Sequence, residues 1–199
     1  MTDPLLDLLD YRRRVNEMYQ AVRALRDRDP RAAHQLWRER RDELFRSHRQ
    51  SALPPEKRAE FSGLPYHEYD PAFVFTAKVR SVTRESYDVD TSTGGVIRFV
   101  RFGAVDLPIG TLEVLWLDEY SGGVFLPFRD ATSGKTTYGG GRYLLDTAKG
   151  ADLGSDGDAL VLDFNFAYHP SCVYDPKWTC PLAPLSNRLA AAVVAGELS

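Results

Sequence analysis

Apolar residues recur at alternating spacings of three and four near the start of the chain: Leu8, Tyr11, Val15, Met18, Val22 and Leu25. That spacing puts them on one face of a helix. Asp3-Pro4 supplies an N-cap followed by proline in the first turn, and Asp29-Pro30 repeats the signal. Ala33, Leu36, Trp37, Leu44 and Phe45 form a second, weaker stripe. The two read as an antiparallel helical hairpin over residues 1–50, closed by Pro54-Pro55. Its arginines, among them Arg12, Arg13, Arg14, Arg38, Arg40 and Arg41, interleave with Glu17, Asp27, Glu39, Asp42 and Glu43. A solvated, ion-paired face accounts for that mixture better than a nucleic-acid stripe.

From about residue 72 the period changes to two. The runs "AFVFTAKVR", "ESYDVD", "VIRFVRF", "TLEVLWLDEY", "GVFLPF", "RYLLD" and "ALVLDFNF" are rich in β-branched and aromatic residues, as strands are. Gly94-Gly95, Gly122-Gly123 and Asp156-Gly157 supply turns between neighbours. Strands that follow one another with no helical pattern between them pair antiparallel. Residues 51–199 are therefore expected to form a curved antiparallel sheet or barrel, since that many strands must protect their edges. "RLAAAVVAG" reads as a C-terminal helix, with Ser186 as its cap and Gly196 as its stop. The fold class is α+β.

With 199 residues, 43% of them hydrophobic, the chain suits one domain with a packed core. A net charge of −3 gives no general attraction to nucleic acid or to anionic membrane. No apolar run is long enough for a membrane span, and the acidic start lacks the basic n-region of a signal peptide. The expectation is a cytoplasmic protein, with the hairpin available for contacts in a homodimer.

One stretch imitates a nucleotide site. "FRDATSGKTTYGGGRY" (128–143) contains Ser-Gly-Lys-Thr, but the first glycine of a P-loop falls on Arg129. Three glycines follow soon after Lys135, where a P-loop needs a helix. A polar turn between two strands is expected instead. Arg129 and Arg142 could clamp a carboxylate or phosphate there, with Asp130, Thr132, Thr136 and Tyr138 beside them and Gly139–Gly141 opening the backbone. The same groups could equally satisfy one another as a structural network.

Asp163 and Asn165 share one face of the strand "ALVLDFNF", followed by Tyr168 and His169. In a closed barrel that face is a cavity. Asp163 would then be a general base, with Tyr138 and His169 as further acid–base groups and Asn165 as a ligand contact. His169, Cys172 and Cys180 supply three soft metal ligands, but a structural zinc wants four and no CxxC knuckle is present, so no metal is expected. The cysteines could otherwise form a disulfide, disfavoured in a reducing cytoplasm, or carry a thiolate activated by His169. The plainest reading is two buried thiols pinning a proline-rich loop. His67, Glu68 and Asp70 read as a surface turn.

The segments "FSGLPYHEYDPAFVF", "PFRDATSGKTTYGGGRYL", "LDFNFAYHPSCVYDPKWTCPLAPLSNRL" and "AGE" resemble a prokaryotic domain-of-unknown-function family, number 1684. The resemblance runs from about Trp37 to Glu197 and brings no activity with it. It implies Asn at the position of His169, which argues against an essential catalytic role there. Two functional classes stand. One is an enzyme acting by hydrolysis or elimination, without an organic cofactor, on a small polar or anionic molecule. The other is a non-catalytic binding or interaction module whose polar network is structural.

Overall fold

The computed structural model describes residues 3–199. Helices α1 (Pro4–Arg26) and α2 (Pro30–Ser47) begin where the Asp-Pro signals place them. The Asp3 carboxylate accepts from the Leu5 amide at 2.8 Å and Asp29 from the Ala32 amide at 2.9 Å. Each cap satisfies an amide that has no partner within the helix. The helices meet through Val15, Met18, Tyr19 and Val22 of α1 and Ala33, Trp37 and Leu44 of α2. The Trp37 indole donates to the Tyr19 hydroxyl at 3.1 Å, so the seam keeps its one polar pair bonded. A single turn, α3 (Pro55–Arg58), leads into the sheets.

Strands β1 (Val74–Lys78), β2 (Arg80–Asp90), β3 (Val96–Leu107), β4 (Gly110–Leu117), β5 (Val124–Phe128), β6 (Arg142–Asp146), β7 (Ser155–Asp156) and β8 (Ala159–Asp163) follow in order. They build two antiparallel sheets, one of order β1-β8-β7 and one of order β2-β3-β4-β5-β6. The central core lies between them: Val105, Leu112, Val114, Leu126, Phe128 and Leu144 of the larger sheet face Ala77, Leu162 and Phe164. The hairpin packs on another face, where its stripe meets Ala151, Leu153, Val161 and Phe166. Among the described residues no helix is long and apolar enough to cross a membrane.

The sheets do not close into a barrel. Strand β2 remains an edge, protected by exposed Arg84, Glu85, Asp88 and Asp90 rather than by a partner strand. The strand expected to run to Phe166 stops at Asp163. There the Asp163 carboxylate accepts from the Asn165 amide at 3.0 Å and turns the chain into a 3-10 helix, Phe164–Phe166. Asp163 and Asn165 thus do not share a strand face.

The expected C-terminal helix is also absent. Beyond the short 3-10 turn Leu185–Asn187 the chain continues without helix or strand, bending at 190–191 and at Gly196. Its polar backbone groups go to tertiary partners: the Leu189 amide to the Arg129 carbonyl, the Val193 amide to the Asp130 carboxylate, and the Glu197 amide to the Ala167 carbonyl. Alanine and valine content favoured a helix locally. The buried Asp130 and Arg142 side chains take backbone groups that a helix would pair internally.

Candidate functional site

The residues singled out in the sequence fall into three networks, the first and third joined where Tyr138 donates to His169 and Arg142 to the Glu197 carbonyl. The first occupies the glycine-rich turn. Asp130 is buried, and its carboxylate accepts from the Thr132 hydroxyl at 2.8 Å, the Ser133 hydroxyl at 3.2 Å and the Val193 amide at 2.6 Å. Arg142 is 1% exposed. It donates to the carbonyls of Ala195 and Val193, lies 3.6 Å from Asp130 and stacks on the Phe128 ring. Burial brings its guanidinium down to about 10, against the charges of Asp130 and Glu197. This pair clamps the C-terminal segment. Arg129 pairs through its backbone with Asn187 and Leu189, and its buried Nε has no hydrogen-bond partner among the described residues. The glycines serve packing. At Gly141, where φ is +98°, an added Cβ would sit 2.6 Å from the Phe128 carbonyl oxygen; at Gly140 it would meet the Tyr138 ring at 2.3 Å.

The second network surrounds Asp163, which is fully buried. One of its oxygens accepts from the Asn165 amide and side chain, the other from the Tyr69 hydroxyl at 3.3 Å. Asn165 in turn bonds the backbone of Asp70 in both directions at 2.9 Å, fastening the segment that enters β1. Burial raises the Asp163 carboxyl above its usual range, with the Asn165 bonds opposing.

The third network holds two residues the sequence reading missed, Arg41 and Glu197. Arg41 was assigned to the solvated face of α2, yet it is buried. It stands four residues after Trp37 and four before Phe45, on the apolar stripe, and that spacing was the available signal. Its guanidinium lies within 5.8 Å of the ring centres of Trp37, Phe45, Tyr66 and Tyr168. It donates to the Tyr66 hydroxyl at 2.5 Å and to Glu197 at 2.9 Å. Glu197 also accepts from the His169 amide at 3.0 Å and from the Tyr174 hydroxyl. The His169 ring accepts from the Tyr138 amide at Nε2 and directs Nδ1 toward Glu197 at 3.7 Å. That arrangement assigns the neutral Nδ1–H tautomer. Burial lowers the ring to about 4, with Glu197 opposing. Cys172 and Cys180 are free thiols, the first half-buried and the second buried. Among the described residues no three His, Cys, Asp or Glu side chains are grouped to hold a metal ion.

A cavity of about 260 Å³ lies between the hairpin, β6 and the loop after Tyr168. Its walls include Tyr11, Met18, Tyr19, Phe45, Tyr143, Tyr168 and Trp178. Its charged lining is Arg12, Arg41 and Lys149 against one carboxylate, Asp146. Lys149 is exposed at the cavity's edge, and Asp146 at 3.4 Å raises its ammonium. Of the residues proposed from the sequence, His169 and Cys180 line this cavity; Arg129, Asp130, Thr132, Tyr138, Arg142, Asp163 and Asn165 do not.

The profile of a family described as protein of unknown function (DUF1684) matches residues 59–198. The solution NMR structure of the uncharacterized protein from gene locus rrnAC0354 of Haloarcula marismortui is similar, with 37% identity and a TM-score of 0.58. The match covers 86% of this chain and 95% of that one. No curated protein matches the chain.

Proposed function

The chain belongs to the DUF1684 family of proteins of unknown function, and we propose that it binds a small ring-bearing acid in the cavity between hairpin and sheet. The observation that carries this reading is the lining: aromatic walls with three basic side chains and one carboxylate. Apolar walls with few polar groups suit a compact organic ligand; Glu197 neutralises Arg41 and Asp146 lies 3.4 Å from Lys149, so Arg12 is the lining cation, among the described residues, whose charge is left to attract an acid, with Lys149 shared between that acid and Asp146. At about 260 Å³ the space fits roughly a dozen non-hydrogen atoms. The ring would lie among Tyr19, Tyr143 and Tyr168 and the acid group would approach Lys149.

Binding, rather than catalysis, is the function we assign. Of the acid–base groups proposed from the sequence, His169 lines this cavity and Asp163 and Tyr138 do not. The His169 ring already spends its free nitrogen on the Tyr138 amide.

Indole-3-acetate and its neutral amide, indole-3-acetamide, test the reading by amide NMR titration. The acid should shift resonances of Tyr11, Tyr19, Ala151 and Tyr168. Leu8→Trp, at the cavity wall, should abolish the shifts. Lys149→Ala should weaken the acid about tenfold, the scale of one charge-assisted hydrogen bond, and leave the amide unchanged. No shift at cavity residues with millimolar acid overturns the proposal.

A further inference from the structure

We propose that the buried end of the cavity, at the free edge of Arg41, takes an uncharged carbonyl oxygen. The ligand is then a ring-bearing acid that carries a ketone on the far side of its ring from the acid group. The inference rests on the cavity reading and adds what its inner end recognises.

Arg41 lies on the apolar stripe of α2, between Trp37 and Phe45, and its side chain is 7% exposed. One nitrogen carries its bonds to the protein: Nη1 donates to the Tyr66 hydroxyl at 2.5 Å and to Glu197 at 2.9 Å. Nε and Nη2 donate to no described residue. Among the described residues, enclosed arginine nitrogens without a partner occur at Arg101, Arg129 and Arg142, and Arg41 is not one of these. Its free N–H groups therefore reach open space, and the open space beside Arg41 is the cavity it lines. Nε–H and one Nη2–H of a guanidinium point the same way, so this edge is a two-pronged donor.

The surroundings hold that edge in place. The Arg41 guanidinium carbon is 4.8 Å from the centre of the Trp37 ring, 5.4 Å from that of Phe45 and 5.1 Å from that of Tyr168. Phe45 and Tyr168 are themselves cavity walls. Trp37 donates to the Tyr19 hydroxyl at 3.1 Å, which fixes a further lining phenol at the same end. That hydroxyl donates to no described residue, so its proton is available to a ligand there.

Charge decides which acceptor fits. Glu197 is buried and already balances Arg41. A ligand carboxylate on the free edge would be buried beside Glu197, two anions sharing one guanidinium, and an unpaired buried charge is costly. A ketone oxygen brings two lone pairs to the two N–H groups and no charge. A ligand that fills the same space with carbon leaves the donors unbonded, which a site of this kind discriminates against. The ionised end of the ligand stays at the rim with Arg12 and Lys149, both exposed. Two ends of different chemistry thus set the direction in which the ligand lies.

Two acids that differ in one group test this on the intact protein. 4-Acetylphenylacetate carries the ketone; 4-isopropenylphenylacetate replaces its oxygen by a methylene of nearly the same shape. In amide NMR titrations followed at Tyr19 and Tyr168, the ketone should bind about tenfold more tightly, the scale of a hydrogen bond from a charged donor. Its carbonyl carbon, isotopically labelled, should move downfield on binding. The Arg41 Nε–H resonance should shift with the ketone and not with the isopropenyl acid. Arg41→Lys keeps a positive charge for Glu197 but has no second edge, so there the preference should fall to within about twofold. Circular dichroism confirms that this variant is folded, and the two affinities of the parent protein decide the matter even if it is not. Equal affinities in the parent, with cavity residues shifting, leave the cavity reading standing and overturn this inference. So does tighter binding of 4-carboxyphenylacetate, which would put a second anion at Arg41, or a ketone preference that survives in folded Arg41→Lys. If neither acid shifts any cavity residue, the cavity reading falls and takes the inference with it.

Discussion

Arg41, in the middle of α2, donates to the carboxylate of Glu197 at 2.9 Å, joining residues 156 positions apart in the sequence, and both side chains are buried. Four aromatic rings surround the guanidinium, and the carboxylate accepts from three groups, Arg41, the Tyr174 hydroxyl and the His169 amide, with the His169 ring 3.7 Å away. The pair fastens the C-terminal segment to the helical hairpin. Burying two charges is favourable only when they are paired and hydrogen-bonded, and here one guanidinium nitrogen bonds both the Tyr66 hydroxyl and the Glu197 carboxylate.

Removing either partner leaves an uncompensated buried charge. Arg41→Ala or Glu197→Ala should each cost about 3–5 kcal/mol in urea unfolding. The double change Arg41→Met with Glu197→Leu should recover a large part of that loss, since no charge is then stranded. Single changes costing less than about 1 kcal/mol would show the pair to be solvated, as exposed pairs are.

The caps and stripes that define α1 and α2 were legible because they depend on residues within one or two turns of each other. The run of antiparallel strands was legible for the same reason. Two elements were not. The stop at Asp163 depends on a carboxylate folding back on the Asn165 amide, whereas the alternation of "ALVLDFNF" continues through it. The region after Arg188 has helical composition, but its conformation is set by Asp130 and Arg142, far away in sequence. The polar residues of the turn were found from their chemistry. Their grouping into three networks follows from long-range packing, which spacing does not encode. The cavity, too, is made by elements distant in sequence.

Stability should fall with acid earlier than carboxylate titration alone requires. His34 and His169 are each held near 4 by burial, Arg38 adding to the effect at His34 and Glu197 opposing it at His169. In the unfolded chain a histidine titrates near 6.5. Between about 6.5 and 4 the unfolded state binds more protons. The stabilisation is therefore complete above the upper value and is lost as pH falls through this window. Each ring can contribute on the order of 3 kcal/mol at most. Asp163, raised by burial, acts with the opposite sign as its carboxyl takes up a proton. Urea melts at pH 7 and pH 4.5 should differ accordingly. His34→Phe or His169→Asn should flatten the dependence, whatever each does to stability at pH 7. An unchanged slope in both would mean that the rings are not neutral in the folded protein.

At Asp163 the side chain's shape should matter more than its charge. Asp163→Asn keeps a carbonyl oxygen for the Asn165 amide and offers a donor to the Tyr69 hydroxyl. It also removes a buried carboxylate. Its effect on stability should stay within about 1 kcal/mol. Asp163→Ala strands the amide and the hydroxyl together and should cost about 2–4 kcal/mol. Equal losses in the two variants would show that the charge itself is needed.

Arg142 gives the sharpest separation of a structural from a ligand-binding arginine. Its guanidinium spans the Ala195 and Val193 carbonyls and the Asp130 carboxylate, and it shares no cavity with Lys149. Arg142→Ala leaves Asp130 buried beside one amide and two hydroxyls, with its cationic partner gone. The expected loss is about 3–5 kcal/mol. The segment after Arg188 should then loosen before the sheets do, because its carbonyls lose their donor while β2–β6 keep their ladders. Limited trypsin digestion should cut after Arg188 in the variant under conditions that leave the parent chain intact. Arg142→Lys should fall between the two, since one ammonium cannot reach the Ala195, Val193 and Glu197 carbonyls and Asp130 together, as a planar guanidinium does. A variant as stable and as protease-resistant as the parent would remove the clamp and return Arg142 to the candidates for ligand contact.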